Sequence, residues 1–134
     1  MSLPTRTPVT ALPRGHTFDS VNFAITTQQA AAYLAAVGDR TDYGDALPPL
    51  AIVALALKAL QEHVALPEGA LHTGQEVAQH AIARPGETLT MHANVGMRSE
   101  RQGFVITALD YEVSNDGGLV LSARSTIMAP GTAA

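Results

Sequence analysis

The chain has 134 residues, of which 46% are hydrophobic, with a formal charge of −4 and no cysteine. A domain of this length buries roughly 65–70% of its unfolded surface, enough for one core without disulfides or metals. The lack of cysteine excludes thiolate metal sites and cysteine nucleophiles, and a single lysine, Lys58, beside seven arginines spread from Arg6 to Arg124 makes no basic stripe for nucleic acid.

Residues 1–15, "MSLPTRTPVTALPRG", interleave prolines with short apolar steps. They read as a flexible leader without the apolar segment of a signal peptide, so a cytoplasmic location is expected. Residues 16–130 read as one domain and 131–134 as a tail. Phe18–Thr26 alternates imperfectly and is expected to form a first strand. Thr26 and Gln29 have capping-box spacing, and Ala30, Tyr33, Leu34 and Val37 recur at helical intervals, which predicts an amphipathic helix over 27–37 ending at Gly38. After the polar stretch Asp39–Asp45, Pro48 and Pro49 permit a second helix to start and run to about His63. Leu50, Ile52, Val53, Leu55, Leu57 and Leu60 cover nearly its whole circumference, so it must be enclosed. Its apolar run, Ala46–Leu57, is shorter than the ~20 residues that span a bilayer, and no membrane partner is expected.

Four strands are expected to follow. Ala70–Ala83 is polar for a strand, with His72, Gly74, Glu76, Ala78 and His80 sharing one face. Residues four apart on a strand lie about 13 Å apart, so His72, Glu76 and His80 cannot jointly hold a metal there. Thr88–Arg98 alternates with Leu89, Met91, Ala93, Val95 and Met97 inward and Thr90, His92, Asn94 and Arg98 outward. A turn at Ser99–Gly103 leads to Phe104–Ser114, and "NDGG" at 115–118 is a hairpin signal before Leu119–Met128. The order predicts an α+β domain: a curved antiparallel sheet wrapped around a long central apolar helix, the layout of the hot-dog fold. Exposed edges of such a sheet call for pairing with a second chain.

"YLAAVGDRTDYGDALPPLAIVALAL" and "LHTGQEVAQHAIARPGETLTM" resemble the MaoC-like hot-dog hydratases and dehydratases, especially the N-terminal or partner-subunit type of two-part members. Active members carry Gly-Asp-any-Asn-Pro, an apolar residue and a His, the Asp and His orienting a water for reversible addition to an enoyl thioester. By that resemblance Asp39 stands at the aspartate position, while Gly44 stands where the histidine would be and Thr41-Asp42 replace Asn-Pro. The resemblance implies an acyl-thioester-handling protein, an (R)-specific enoyl-thioester hydratase or 3-hydroxyacyl-thioester dehydratase whose substrate is an acyl-CoA or acyl carrier protein thioester, with no cofactor or metal. Asp39, Tyr43 and His72 are then candidate catalytic residues, with Asp45 and His80 as further substitutes for the missing histidine. Leu50 and Ala51 at the start of the central helix, and Gln75, Glu76 and His80 on the strand, are candidate substrate-binding residues. Two alternatives stay open: a non-catalytic subunit shaping the acyl tunnel of a hetero-oligomeric dehydratase, and a binding or scaffold domain without thioester chemistry. A homodimer, or a heterodimer with another hot-dog chain, is the expected assembly.

Overall fold

The structure, a computed structural model, describes residues 6–131. Its elements in chain order are β1 (Thr7–Pro8), a 3-10 turn (Val9–Ala11), β2 (Val21–Phe23), α1 (Thr27–Val37), α2 (Pro49–Leu60), β3 (Val64–Ala65), β4 (Leu71–Gln79), β5 (Leu89–Arg101), β6 (Phe104–Asn115) and β7 (Gly118–Pro130). Five strands form one antiparallel sheet in the order β2-β5-β6-β7-β4, and β1 pairs in parallel with β3 in a separate two-stranded sheet.

Both helices begin where their local chemistry directs. At α1 the Thr26 hydroxyl accepts the Gln29 N–H at 3.0 Å, and the Gln29 side chain accepts the Thr26 N–H at 2.9 Å. Two otherwise unpaired amides are thereby satisfied. At α2, Pro49 opens the helix with no N–H to leave unsatisfied. Ala51, Ile52, Val53, Ala56 and Leu60 are buried, and with Leu89, Met91, Val95, Leu109, Tyr111, Val113 and Leu121 of the sheet they form the core.

The sheet packs on the buried side of α2 and leaves part of the helix open. Leu50 is 54% exposed and Ala54 and Lys58 are exposed too, so a stripe at four-residue spacing is left bare. Helix α1 also departs from the expected packing. Only Ala30 is buried, Tyr33 and Leu34 are half-buried, and Val37 is 57% exposed.

Two β-bulges re-aim the side chains that strict alternation assigned. In β5 the register slips between Val95 and Met97, so Met97 pairs with Ala108 and Arg98 with the buried Thr107. Met97 therefore leaves the core face and Arg98 joins it, reaching the Thr10 carbonyl at 3.0 Å. The residue at the slip is Gly96, where a Cβ would collide with the Asp110 carboxylate that lies across it. In β4 the slip falls between His72 and Gly74. His72 pairs with Ile127 of the core side, whereas Gly74 pairs with Thr126 on the other, so His72 does not share a face with Glu76 and Ala78.

The segment expected as a leader is docked where it is described. Thr7 N–H donates to the His63 carbonyl at 3.0 Å, and Val9 and Leu12 are buried in the core. Residues 1–5 and 132–134, the ends of the expected leader and tail, lie outside the described residues. The expected first strand shrinks to Val21–Phe23 paired with Leu89–Met91, preceded by an isolated bridge from Thr17 to Asn94.

Because Ile52 has no exposed surface, Ile52→Ala should lower the free energy of unfolding in urea by about 2–5 kcal/mol. Leu66→Ala, at a position 40% exposed, should cost clearly less; equal losses would contradict this placement of the core.

Candidate functional site

The end of α1 fixes where Asp39 stands. The chain leaves the helix at Gly38, and the Asp39 N–H donates back to the Leu34 carbonyl at 3.0 Å, a closure that pins the first residue beyond the helix. The loop that follows is folded on its own side chains. Asp39 Oδ1 accepts the Thr41 N–H at 2.9 Å, Asp42 Oδ1 accepts the Gly44 N–H at 2.8 Å, and the Tyr43 carbonyl accepts the Ala46 N–H at 3.1 Å. The first two are aspartate-closed turns and the third is a backbone turn. Leu47 N–H then donates to the Ala83 carbonyl at 2.8 Å, tying the loop to the segment beyond β4. Asp45 pairs with Arg84 at 3.0 Å, but both side chains are more than half exposed, so this bridge contributes little.

Within this loop Tyr43 Oη donates to Asp39 Oδ2 at 2.7 Å. Hydrogen bonds from Thr41, and then from Tyr43, hold the Asp39 carboxyl below the usual aspartate range. The same contact with Asp39 is the main cause that raises the Tyr43 phenol above its ordinary value. Both shifts oppose proton exchange near neutral pH, because the carboxylate becomes a weaker base and the phenol a weaker acid. Gly44 adopts φ +63°, a left-handed conformation that costs a residue with a Cβ about 1–2 kcal/mol. Position 44 is thus a turn glycine, and the turn itself favours glycine.

The other candidates are dispersed. His72 lies near the start of β4, whereas the loop is tied to Ala83, past the far end of that strand. The His72–Gln79 span alone is about 23 Å at strand rise, and the hydrogen bonds of the Asp39 carboxylate among the described residues go to Thr41 and Tyr43, not to His72. Gln75 points to the core side, where it closes a ring: Ser125 Oγ donates to Gln75 Oε1 at 2.7 Å, Tyr111 Oη meets Ser125 Oγ at 2.9 Å, and Gln75 Nε2 reaches Tyr111 Oη at 3.3 Å. Ser125 and Tyr111 are buried, and burial raises the Tyr111 phenol. Glu76 and His80 face the other way. Glu76 pairs across the sheet with Arg124, which chelates Asp110 at 2.6 and 2.9 Å, and His80 Nε2 lies 3.1 Å from Ser122 Oγ. Gln75 and Glu76 therefore present their side chains to opposite faces of the sheet. At the start of α2, Leu50 is exposed, but Ala51 is buried and gives its N–H to the Pro48 carbonyl at 3.0 Å. That amide is not free for a thioester oxygen.

Sequence reasoning did not find the Gln75–Ser125–Tyr111 ring or the Asp110–Arg124 pair, since both depend on strand register. A groove of about 910 Å³ on the sheet face bearing Glu76, His92, Asp110 and Arg124, and a second of about 560 Å³ by Arg98 and Phe104, contain no residue of the 38–47 loop. No group of three or more His, Asp or Glu suited to a metal occurs among the described residues. No helix among them is long and apolar enough to cross a membrane.

The Tyr43 contact gives a titration signature. Asp39→Asn should shift one of the three tyrosine transitions, followed by phenolate absorbance, toward lower pH, because the anionic acceptor that holds the proton on Tyr43 is removed. Unchanged transitions would show that the bond is not formed in solution.

No protein-family model and no curated protein sequence matches the chain. Solved structures do. The (R)-hydratase PhaJ1 of Pseudomonas aeruginosa superposes with a TM-score of 0.72 at 20% identity, covering 95% of this chain and 88% of that one. A MaoC-like dehydratase from Rhodospirillum rubrum gives 0.71 at 16% identity over 92% and 96% of the two chains. A chain of the HadBC (3R-hydroxyacyl-ACP dehydratase) complex of Mycobacterium tuberculosis gives 0.68 at 25% identity over 87% and 96%. With its five-stranded antiparallel sheet packed on α2, the chain has the α+β hot-dog fold shared by these (R)-hydratases and MaoC-like dehydratases.

Proposed function

We propose that this chain is an acyl-thioester-handling hot-dog subunit whose 38–47 loop does not run hydration chemistry by itself, and that it works paired with a second hot-dog chain. The observation that carries this is the loop's inventory. Of its three aspartates Asp42 closes a turn and Asp45 pairs with Arg84, which leaves Asp39, whose carboxylate accepts the Tyr43 phenol, and the loop has a left-handed glycine at position 44. Reversible addition of water across an enoyl thioester needs a base for the water and an acid for the α-carbon, with proton affinities near the working pH. Asp39 and Tyr43 are shifted in opposite directions away from it.

Pairing is supported by what the chain leaves uncovered. β4 is an edge strand in which every residue except Gly74 is exposed, and it lacks the proline or lysine that usually protects such an edge. Exposed Leu71 and Val77 on it, and Leu50 and Val37 on the helices, are apolar surface in want of a cover. Two of the similar structures, HadBC and ChsH1-ChsH2 of Mycobacterium tuberculosis, are complexes of two named chains. The acyl-thioester assignment is an analogy from the fold and from the sequence resemblance.

The purified chain should show no hydration of crotonyl-CoA even at high protein concentration, and purification from its native host should recover a second hot-dog chain with both an aspartate and a histidine in its loop. Hydration by the chain alone, abolished by Asp39→Asn, would instead establish it as an enzyme in its own right.

A further inference from the structure

Arg98 is a half-buried arginine whose donors are only partly used. The slip at Gly96 turns it onto the core face of the sheet, where its side chain is 27% exposed. Both of its contacts run through one nitrogen: Nη2 donates to the Thr10 carbonyl at 3.0 Å and to Glu100 Oε1 at 3.0 Å. Nε and Nη1 have no hydrogen-bond partner among the described residues. A guanidinium only donates, so these unused N–H groups call for an acceptor that the chain does not bring. Arg124 offers the contrast, since its Nε and Nη2 are both taken by Asp110.

The hydroxyl of Thr107 is a second unused group. It has no exposed surface, and its Oγ1 has no hydrogen-bond partner. Thr107 stands directly across from Arg98 in the β5–β6 register, and side chains so placed have Cβ atoms about 4.5–5.5 Å apart. An oxygen drawn in beside Arg98 therefore comes within reach of the Thr107 hydroxyl and relieves the cost of leaving it unpaired.

The surroundings select an anion. Arg98, Glu100 and Arg101 line the groove of about 560 Å³ together with Gln102 and Val105. The Glu100 side chain is 67% exposed, so solvent screens its charge, and two arginines leave the groove positive in a chain of charge −4. The larger groove is the reverse, with Glu76, Asp110 and Glu112 against Arg124. Gln102 turns the hairpin with φ +51°, the one positive φ at a non-glycine among the described residues, and strain of this kind persists at ligand-holding sites. A groove of this volume exceeds what a bare ion fills and lies in the range of small-molecule sites. We infer that it binds a small organic phosphate, whose phosphoryl oxygens accept from Arg98 Nε and Nη1 and from the Thr107 hydroxyl. A phosphate monoester has three terminal oxygens for these three donors, whereas a carboxylate has two. No residue of the 38–47 loop lines the groove, and the site does not depend on the acyl-thioester function proposed above.

Isothermal titration with phenyl phosphate and with benzoate, in phosphate-free buffer and with the protein in the assembly in which it purifies, tests this directly. Phenyl phosphate should bind saturably and more tightly than benzoate. Arg98→Gln should weaken it by about 10–100-fold, with circular dichroism to establish that the fold is retained. Arg98 also holds Thr10, so Thr107→Val provides an independent variant that keeps the shape and removes only the hydroxyl. It should weaken phenyl phosphate by about 3–10-fold while leaving the urea midpoint of the unliganded protein unchanged or higher. Arg84→Gln makes the same change of charge at an exposed position and should bind as wild type. Absence of saturable binding overturns the site, as does wild-type affinity in both Arg98→Gln and Thr107→Val. A loss in Arg84→Gln as large as in Arg98→Gln reduces the effect to general charge attraction and overturns it too, and tighter binding of benzoate overturns the assignment to phosphate.

Discussion

Burial of α2 against the concave side of one antiparallel sheet is the constraint on which the other features depend. Ile52, Ala56 and Leu60 have almost no exposed surface, and they share one core cluster with residues of β5, β6 and β7. Seating a helix there fixes where its N-terminus lies, and the segment from Gly38 to Pro48 must bridge the end of α1 to that point. The Leu47–Ala83 hydrogen bond and the buried Leu47 then hold the far end of the bridge against the domain. Position 39 is thus determined by helix packing before any chemistry is considered.

What the loop does with that position is visible in its hydrogen bonds. Its three aspartates are spent on local order: Asp39 and Asp42 close turns onto backbone N–H groups, and Asp45 pairs with Arg84. Tyr43 completes the arrangement by donating to the one Asp39 oxygen that the backbone does not use. The left-handed backbone at Gly44 is part of this order, since the Gly44 N–H is the donor that Asp42 captures. A histidine could be placed at 44 only by straining or refolding the turn, so the glycine and this loop shape belong together.

Much of the fold is legible in the sequence where the signal is local. The Thr26–Gln29 box and Gly38 bound α1 at both ends, and Pro49 marks the start of α2, because caps and proline act through their immediate neighbours. Register is not local. A plain hairpin closed at Asn115–Gly118 would set Asp110 opposite Ala123; the slip after Val113 moves the partner by one residue to Arg124 and so creates the ion pair. The slips at Gly96 and Thr73 likewise exchange the faces of Met97, Arg98 and His72, which is why alternation misassigned those three. Helix α1 shows the reverse failure: its apolar stripe is real, but the described residues cover it only in part.

That unfilled surface links the fold to the proposed role. The bare flank of α2, the apolar side of α1 and the β4 edge are three places where a domain of this kind stops short of enclosing itself. The claim that a second chain completes it is tested most directly by amide hydrogen exchange over Leu71–Gln79 in the assembly purified from its host. If the edge is paired, amides on both sides of β4 should be protected, those facing away from β7 as well as those bonded to it. Exchange of the outward-facing amides at the rate of an open chain would contradict the pairing.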